Sequence, residues 1–299
     1  MVSLACPKPG KKLYKLKLLG RMLKITTAET KLFSQYIKDI SGIHLDESKK
    51  YLLETRLNAI AEEFRCSNYH ELYNKSKSEP AKLIEKKIID AISTNETLFF
   101  RDNSPFELLR HKILPELVDK RSQKNPRIKT PLRIWSAACS TGQEIYSVAI
   151  VMQELLGDLS KYSVKLLGTD ISDAAIAQAS AGRYNKFEIE RGLAKDKLNR
   201  YFSPAGGSWK IKDEIRAMAN FRKINLMQPF TGMGKFDIIL CRNVAIYFTP
   251  EDRKKLFNKL AQNLEPDGYL IIGSTESLTG ISPRFIPKRH MRSIFYELK

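Results

Sequence analysis

No run of about 18 or more apolar residues occurs in the chain, so the sequence offers no membrane-spanning helix. Cysteine is scarce: Cys6, Cys66, Cys139 and Cys241 are scattered, with no CxxC pair and no Cys/His spacing that suits zinc. Reduced thiols in a cytosolic protein fit that distribution better than a disulfide framework. The four histidines form no ligand pattern either, so no metal is expected. Internal repeats and low-complexity tracts are missing, and a hydrophobic fraction of 42 % predicts a packed core rather than disorder. Acids are absent from residues 1–26, which carry seven Lys or Arg. That segment is no secretory signal, because basic residues interrupt its apolar run and no small-residue cleavage site follows. The expectation there is a disordered basic tail, or an extension upstream of a start at Met22; an amphipathic arm on anionic lipid is the other reading.

Positive charge is what the chain has in excess: 51 Lys plus Arg against 33 Asp plus Glu, a net +18. Such a balance draws a protein to polyanions (nucleic acid, an acidic membrane surface or an acidic protein) or serves solubility alone. The charge does not choose among these.

Residues 27–92 read as a small all-helical domain with no strand signal. Leu32, Phe33, Tyr36, Ile37 and Ile40 fall at helix spacing. Asp46 or Ser48 can cap a second helix reaching about Phe64, Ser67 a third, and Pro80 can open a fourth. Residues 93–130 form a linker and connecting helix. From 131 to 299 short apolar runs at 132–138, 164–169, 236–241 and 269–273 alternate with helical stretches at about 145–156, 174–180 and 250–264. That alternation predicts an α/β fold with a mostly parallel sheet covered by helices, whose ligands sit at the carboxyl ends of the strands. Between Gly182 and Lys223 the alternation breaks, with eleven basic residues against five acidic ones and a possible hairpin turn at 206–209. An inserted β-subdomain at about 183–223 is expected.

The residues that carry chemistry follow the strand ends. The first strand runs into small residues, Ala138 to Gly142, then Glu144 at a helix start, where unpaired N–H groups favour an anion. A βα turn kept small for packing would look the same. Asp170 ends the second strand, about 30 residues after Gly142, where an acid can accept hydrogen bonds from a ribose diol. Ser172 or Asp173 can serve as the helix cap there, leaving Asp170 for a ligand. Arg242 and Asn243 end a later strand, and Tyr247 beyond them can reach a substrate with its hydroxyl or be a core aromatic. Between the two domains lies Ser93–Asp102, in which Arg101 can hold a carboxylate through its planar fork or bridge the junction.

Together these segments resemble the CheR family of chemotaxis receptor methyltransferases. The matching motifs, in order, are N-E-T-L-F-F-R-D (95–102), I-W-S-A-A-C-S-T-G-Q-E-I-Y-S (134–147), L-G-T-D-I-S (167–172), A-G-R-Y (181–184) and I-N-L-M (224–227). F-D-I-I-L-C-R-N-V-A-I-Y-F (236–248) and G-Y-L-I-I-G-S-T-E-S-L (268–278) follow. The resemblance covers roughly residues 27–299. It implies a class I S-adenosylmethionine-dependent methyltransferase, Rossmann-like, with an N-terminal all-helical domain and a small inserted β-subdomain. It also implies methyl transfer from S-adenosylmethionine to glutamate side chains of methyl-accepting chemotaxis receptors. On that resemblance Asn95, Thr97, Arg101, Ala138, Gly142, Glu144, Asp170, Asn225, Leu226, Arg242 and Asn243 are cofactor contacts, with Asn225 and Leu226 flanking the adenine. Arg101 and Tyr247 lie nearest the transferred methyl. The partners are acidic coiled-coil receptor helices, and the expected location is cytoplasmic, at membrane-embedded receptor arrays.

Three positions depart from the family pattern: Ala138 where Gly is usual, Gln143 where Glu is usual and Ile145 where Pro is usual. Ala138 keeps the turn if its φ is negative, so binding is expected to survive. Residues 202–212 look shorter than in relatives that grip a receptor's C-terminal pentapeptide, so no tether is expected. Lys49, Lys50 and Arg56 are the expected docking charges. A nucleic-acid methyltransferase is the rival enzyme, without an Asn-Pro-Pro-Tyr-like motif to support it. A non-catalytic cofactor-binding adaptor is the rival from another class.

Overall fold

The computed structural model describes residues 23–124 and 128–299. The basic segment up to Met22 lies outside the described residues. Leu23 to Thr26, assigned to the tail by sequence, are instead built into the helical domain. Leu23 N donates to Asn58 Oδ1, Ile25 N donates to Glu54 Oε1, and Ile25 is fully buried. An apolar side chain of that size gains roughly 1.5–3 kcal/mol from burial, enough to pin a chain end.

Four helices follow: α1 (Thr27–Ser41), α2 (Lys50–Glu63), α3 (Tyr69–Ser78) and α4 (Leu83–Ile92). Thr26 and Glu29 form a reciprocal capping box at the start of α1, and Gly42 ends it in the left-handed conformation at φ 80°. Asp46 caps a short 3₁₀ turn that feeds α2. Asn68, not Ser67, caps α3, while Ser67 holds the Glu71 carboxylate of the first turn. Helix α4 begins after Lys82, not at Pro80. Phe33, Leu53, Leu57, Tyr69 and Ile88 fill the core between these helices.

Helices α5 (Ser104–Leu108) and α6 (Leu114–Lys124), joined by a π turn, lead to β1 (Thr130–Ala137). After it come α7 (Gln143–Leu156), β2 (Tyr162–Asp170), α8 (Asp173–Ala181), β3 (Arg183–Tyr184), α9 (Lys186–Glu190) and α10 (Lys195–Tyr201). The chain continues with β4 (Phe202–Ala205), β5 (Ser208–Ile211), α11 (Asp213–Arg216), β6 (Ala219–Lys223), β7 (Phe236–Cys241), α12 (Pro250–Gln262), β8 (Leu264–Ile272), β9 (Phe285–His290) and β10 (Ser293–Leu298). The large sheet has the order β6-β2-β1-β7-β8-β10-β9. Strands β6, β2, β1, β7 and β8 are parallel; β10 pairs antiparallel with β8, and β9 pairs antiparallel with β10 at the edge of the sheet. Apolar side chains pack on both faces, which is why the central strands read as unbroken hydrophobic runs.

Strand β6 corrects the sequence reading. Residues 219–223 belong to the large sheet, paired with β2, rather than to the inserted subdomain. The small sheet β3-β5-β4 ends at Ile211, and Gly206 and Gly207, both at positive φ, make its hairpin turn. β6 was hidden because Ala-Asn-Phe-Arg-Lys alternates and carries charge, as an edge strand does. From β1 the chain moves outward through β2 to β6, then returns to place β7 on the other side of β1. The reversal lies between β1 and β7, and a crevice forms at their carboxyl ends.

Candidate active site

One cleft opens at that crevice, between the sheet's carboxyl edge and the helical domain. Of the candidates named from sequence, Asn95, Thr97, Arg101, Ala138, Glu144, Asp170, Leu226, Arg242, Asn243 and Tyr247 line it. Gly142 and Asn225 do not.

The loop after β1 is placed by backbone strain. Ala138 has φ 63° and Ser140 φ 50°, so the expectation of a negative φ at Ala138 is overturned. The left-handed conformation costs an L-residue about 1–2 kcal/mol, a load glycine would not carry. Among the described residues nine non-glycine residues have positive φ: Ala138, Ser140 and Asn243 line the cleft, and Phe100, Asp102 and Asn103 lie within two residues of the lining residue Arg101. Strain concentrated in this way marks a site that the surrounding structure over-determines. Gly142 serves packing. A Cβ there would come within 2.9 Å of the Ala179 Cβ of α8 and 3.2 Å of the Tyr184 hydroxyl.

Asp170 sits at the end of β2, buried, and each carboxylate oxygen accepts one backbone N–H. Oδ2 takes Ser140 N at 2.9 Å and Oδ1 takes Ser172 N at 3.0 Å. Ser172 supplies the α8 cap, so Asp170 is indeed free of that duty. Two of its four lone-pair sites remain for a ligand diol. Burial raises its pKa above the usual aspartate value, with the charge of Asp90 adding to the rise and the backbone N–H bonds opposing it. Asp90, on α4, accepts from the Ser172 hydroxyl at 2.7 Å, which joins the helical domain to the segment carrying Asp170.

Glu144 and Arg242 reach the cleft wall with their charges already engaged. Arg242 Nη1 donates to Glu144 Oε2 at 2.8 Å, and Nη2 donates to Asp102 Oδ2 at 2.9 Å and to the Arg101 carbonyl at 2.8 Å. The Ser136 hydroxyl donates to the other Glu144 oxygen. This pair therefore staples the 95–102 segment to the β1 and β7 loops. Arg101 keeps more freedom: among the described residues its guanidinium makes one bond, from Nη1 to the Glu96 carbonyl at 2.9 Å. Tyr247 is half-buried in a 3₁₀ turn whose carbonyl accepts from His44 N, so α1's exit loop and Tyr247 are fixed together.

The segment 224–230 supplies apolar lining through Ile224 and Leu226, to which Ile171 and Val244 add. Asn225 supports that lining from behind: its Nδ2 donates to the Ile40 carbonyl and its Oδ1 accepts from Met227 N. Gly42 faces Met227 so closely that a Cβ would lie 2.3 Å from Met227 Cγ. Lys259 of α12 donates to the Leu226 and Gln228 carbonyls and lies 4.7 Å from the Phe230 ring. Burial pulls the Lys259 pKa down to about 8.

Sequence reasoning gave no role to Lys259, Ser41, Ile43 or Glu276. Ser41 and Ile43 line the cleft from the end of α1. Glu276 Oε2 accepts from Asn243 N at 2.8 Å and Gly273 N at 2.7 Å, holding Asn243 in its left-handed conformation. Glu276 was within a quoted motif, but its duty depends on the β7–β8 pairing, which spacing does not reveal.

The donor set suits a nucleoside joined to an amino acid. It offers a buried acid for a diol, an apolar slot for a base, polar side chains from Asn95, Thr97 and Asn243, and unoccupied N–H groups on Arg101. The family model described as CheR methyltransferase, SAM binding domain, matches residues 95–293, and the one described as CheR methyltransferase, all-alpha domain, matches residues 28–88. The chain is 37 % identical over 272 residues to the chemotaxis protein methyltransferase Cher2 of Pseudomonas putida, covering 89 % of this chain and 96 % of that one. It is 39 % identical over 282 residues to the chemotaxis protein methyltransferase of Vibrio parahaemolyticus, covering 93 % and 99 %. The figures are the same for chemotaxis protein methyltransferase 1 of Vibrio cholerae.

Proposed function

The chain belongs to the CheR methyltransferase family and takes S-adenosylmethionine as its methyl donor, and on that premise we propose that it esterifies glutamate side chains of methyl-accepting chemotaxis receptors. The observation that carries this reading is the meeting of Asp170, Arg101, Asn243 and Tyr247, from separate segments, on one cleft at the switch point of the sheet.

Bound S-adenosylmethionine supplies an electrophilic methyl on a sulfonium. Asp170 holds the ribose hydroxyls through its two unoccupied lone-pair sites, and Leu226 with Ile171 encloses the base. Asn95, Thr97 and Asn243 offer polar groups along the rest of the wall. A substrate glutamate is already ionised near pH 7, so no strong general base is needed. The work left to the protein is alignment and partial exclusion of water, which together can lower a barrier by roughly 7–11 kcal/mol. Arg101 orients the incoming carboxylate without neutralising it, and the Tyr247 hydroxyl donates a hydrogen bond to it. Glu144, Arg242 and Glu276 keep the loops rigid while this happens. The two-glycine hairpin between β4 and β5 is short, consistent with a receptor found without a pentapeptide tether. Among the described residues no helix is long and apolar enough to cross a membrane.

Incubation with methyl-labelled S-adenosylmethionine and a receptor cytoplasmic fragment tests the reading. Alkali-labile label on the fragment, lost with Arg101→Ala, supports it. Tight cofactor binding with label appearing on RNA or DNA instead would replace it with the nucleic-acid reading.

A further inference from the structure

The C-terminal hairpin carries charge that neither the cleft nor the fold uses. Strand β10 runs antiparallel to β8, with Tyr296 opposite Leu270 and Glu297 opposite Tyr269. Its turn with β9 therefore projects past the carboxyl edge on which the cleft lies. Met291 and Ile294 are 70 % and 55 % exposed, and Arg289 and Arg292 beside them are exposed as well. Lys288 lies 3.9 Å from Glu297, whereas Arg289 and Arg292 make no ion pair among the described residues.

The turn is held firmly and close to the reacting segment. The Ser293 hydroxyl donates to the Ser104 carbonyl at 2.9 Å, three residues beyond Arg101, and Asp102 borders the same hollow as Met291 and Arg292. The two acids of that hollow are engaged: Asp102 by Arg242, and Glu107 by His111 at 3.0 Å. The helical domain meets the sheet at the loops after β2, β6 and β7, so the hairpin borders the mouth from the β8 side. Two planar guanidiniums flanking an adaptable methionine fit an amphipathic acidic helix, which offers carboxylates on one face and apolar groups beside them.

We propose that Arg289, Met291 and Arg292 form a substrate-side rim of the active cleft that grips an acidic helix carrying the target glutamate. This rests on the glutamate-esterification reading above. The rim supplies register: it places one carboxylate of the helix opposite Arg101 by pairing with acids farther along it.

The double charge reversal Arg289→Glu with Arg292→Glu tests this in the full chain, using the receptor cytoplasmic fragment as substrate and calorimetry for S-adenosylmethionine. The expected result is a rise in KM for the fragment of about tenfold, the scale for rim charges at an interface, with cofactor affinity at the wild-type value. The double change to Lys should restore most of the affinity for the fragment. An unchanged KM alongside wild-type turnover overturns the rim and leaves the glutamate reading intact. A wild-type protein that binds cofactor but labels no fragment overturns both. Lost cofactor affinity in the reversed variant means that the turn shapes the cleft rather than gripping substrate, and overturns the rim. So does a loss of binding to DNA or anionic vesicles with KM for the fragment unchanged.

Discussion

Asp170 combines burial with two backbone hydrogen bonds and a nearby Asp90, and its behaviour with pH follows from that balance. Its pKa is raised in the fold, so the folded state holds the proton over a window in which an unfolded aspartate has lost it. Stability contributed by the protonated form is therefore lost as pH rises through that window. Ligand binding runs the opposite way, because a ribose diol prefers the ionised acceptor. Cofactor affinity should fall on acidification starting above the usual aspartate range, as measured by calorimetry across pH. Asp170→Asn should weaken binding by about 10–100-fold at neutral pH, the scale of a hydrogen bond to a charged acceptor, and should flatten that acid limb. Ala138 gives the second residue-level prediction. Its φ of 63° is strained, so Ala138→Gly should leave stability unchanged or raise it by up to about 1 kcal/mol, although Gly for Ala ordinarily costs about 0.5–1 kcal/mol. Denaturant midpoints decide this, and a loss above about 1 kcal/mol would show that the Ala138 methyl is needed for packing.

Among the elements, the loops after β1 and β7 and the 95–102 segment are joined by Arg242. Its side chain is 1 % exposed and touches Glu144, Asp102 and the Arg101 carbonyl. Removing one member of a buried ionic network leaves uncompensated charge, so Arg242→Ala should cost about 3–5 kcal/mol in chemical denaturation and loosen the cleft. Arg56 on α2 joins elements through backbone carbonyls instead. Its Nη1 donates to the carbonyls of Ala91, Ile92 and Ser93 at the end of α4, so it has a structural duty at that helix end. Elements with strong periodicity were legible: α1, α2, α7, α12 and the buried central strands carry runs that only one secondary structure satisfies. The edge strands β6 and β9 were not, because they mix apolar with charged residues and resemble loops, and β10 went unread with its partner β9. At the site, Asp170 and Asn243 were legible from their places after strands. The supporting roles of Asn225, Glu276 and Lys259 were not, since each acts on a backbone group distant in sequence.

At the scale of the whole molecule, the net charge of +18 becomes specific once the cleft is placed. Lys49 and Lys50 stand exposed at the start of α2, free of the structural duty that occupies Arg56. Charge reversal at both should slow receptor methylation several-fold at low salt while cofactor binding stays intact. The gap should close as salt rises, because exposed charges are screened within about 8–10 Å at physiological ionic strength. Equal rates for variant and wild type at low salt would remove the helical domain from substrate docking. The most direct test of the central claim is tandem mass spectrometry of a receptor cytoplasmic fragment after incubation with this protein and S-adenosylmethionine. Esterification predicts a methyl group on glutamate side chains, removed by mild alkali and missing when Arg101→Ala replaces the wild type. An alkali-stable methyl on another residue type, or an unmodified fragment from protein that binds the cofactor tightly, would contradict it.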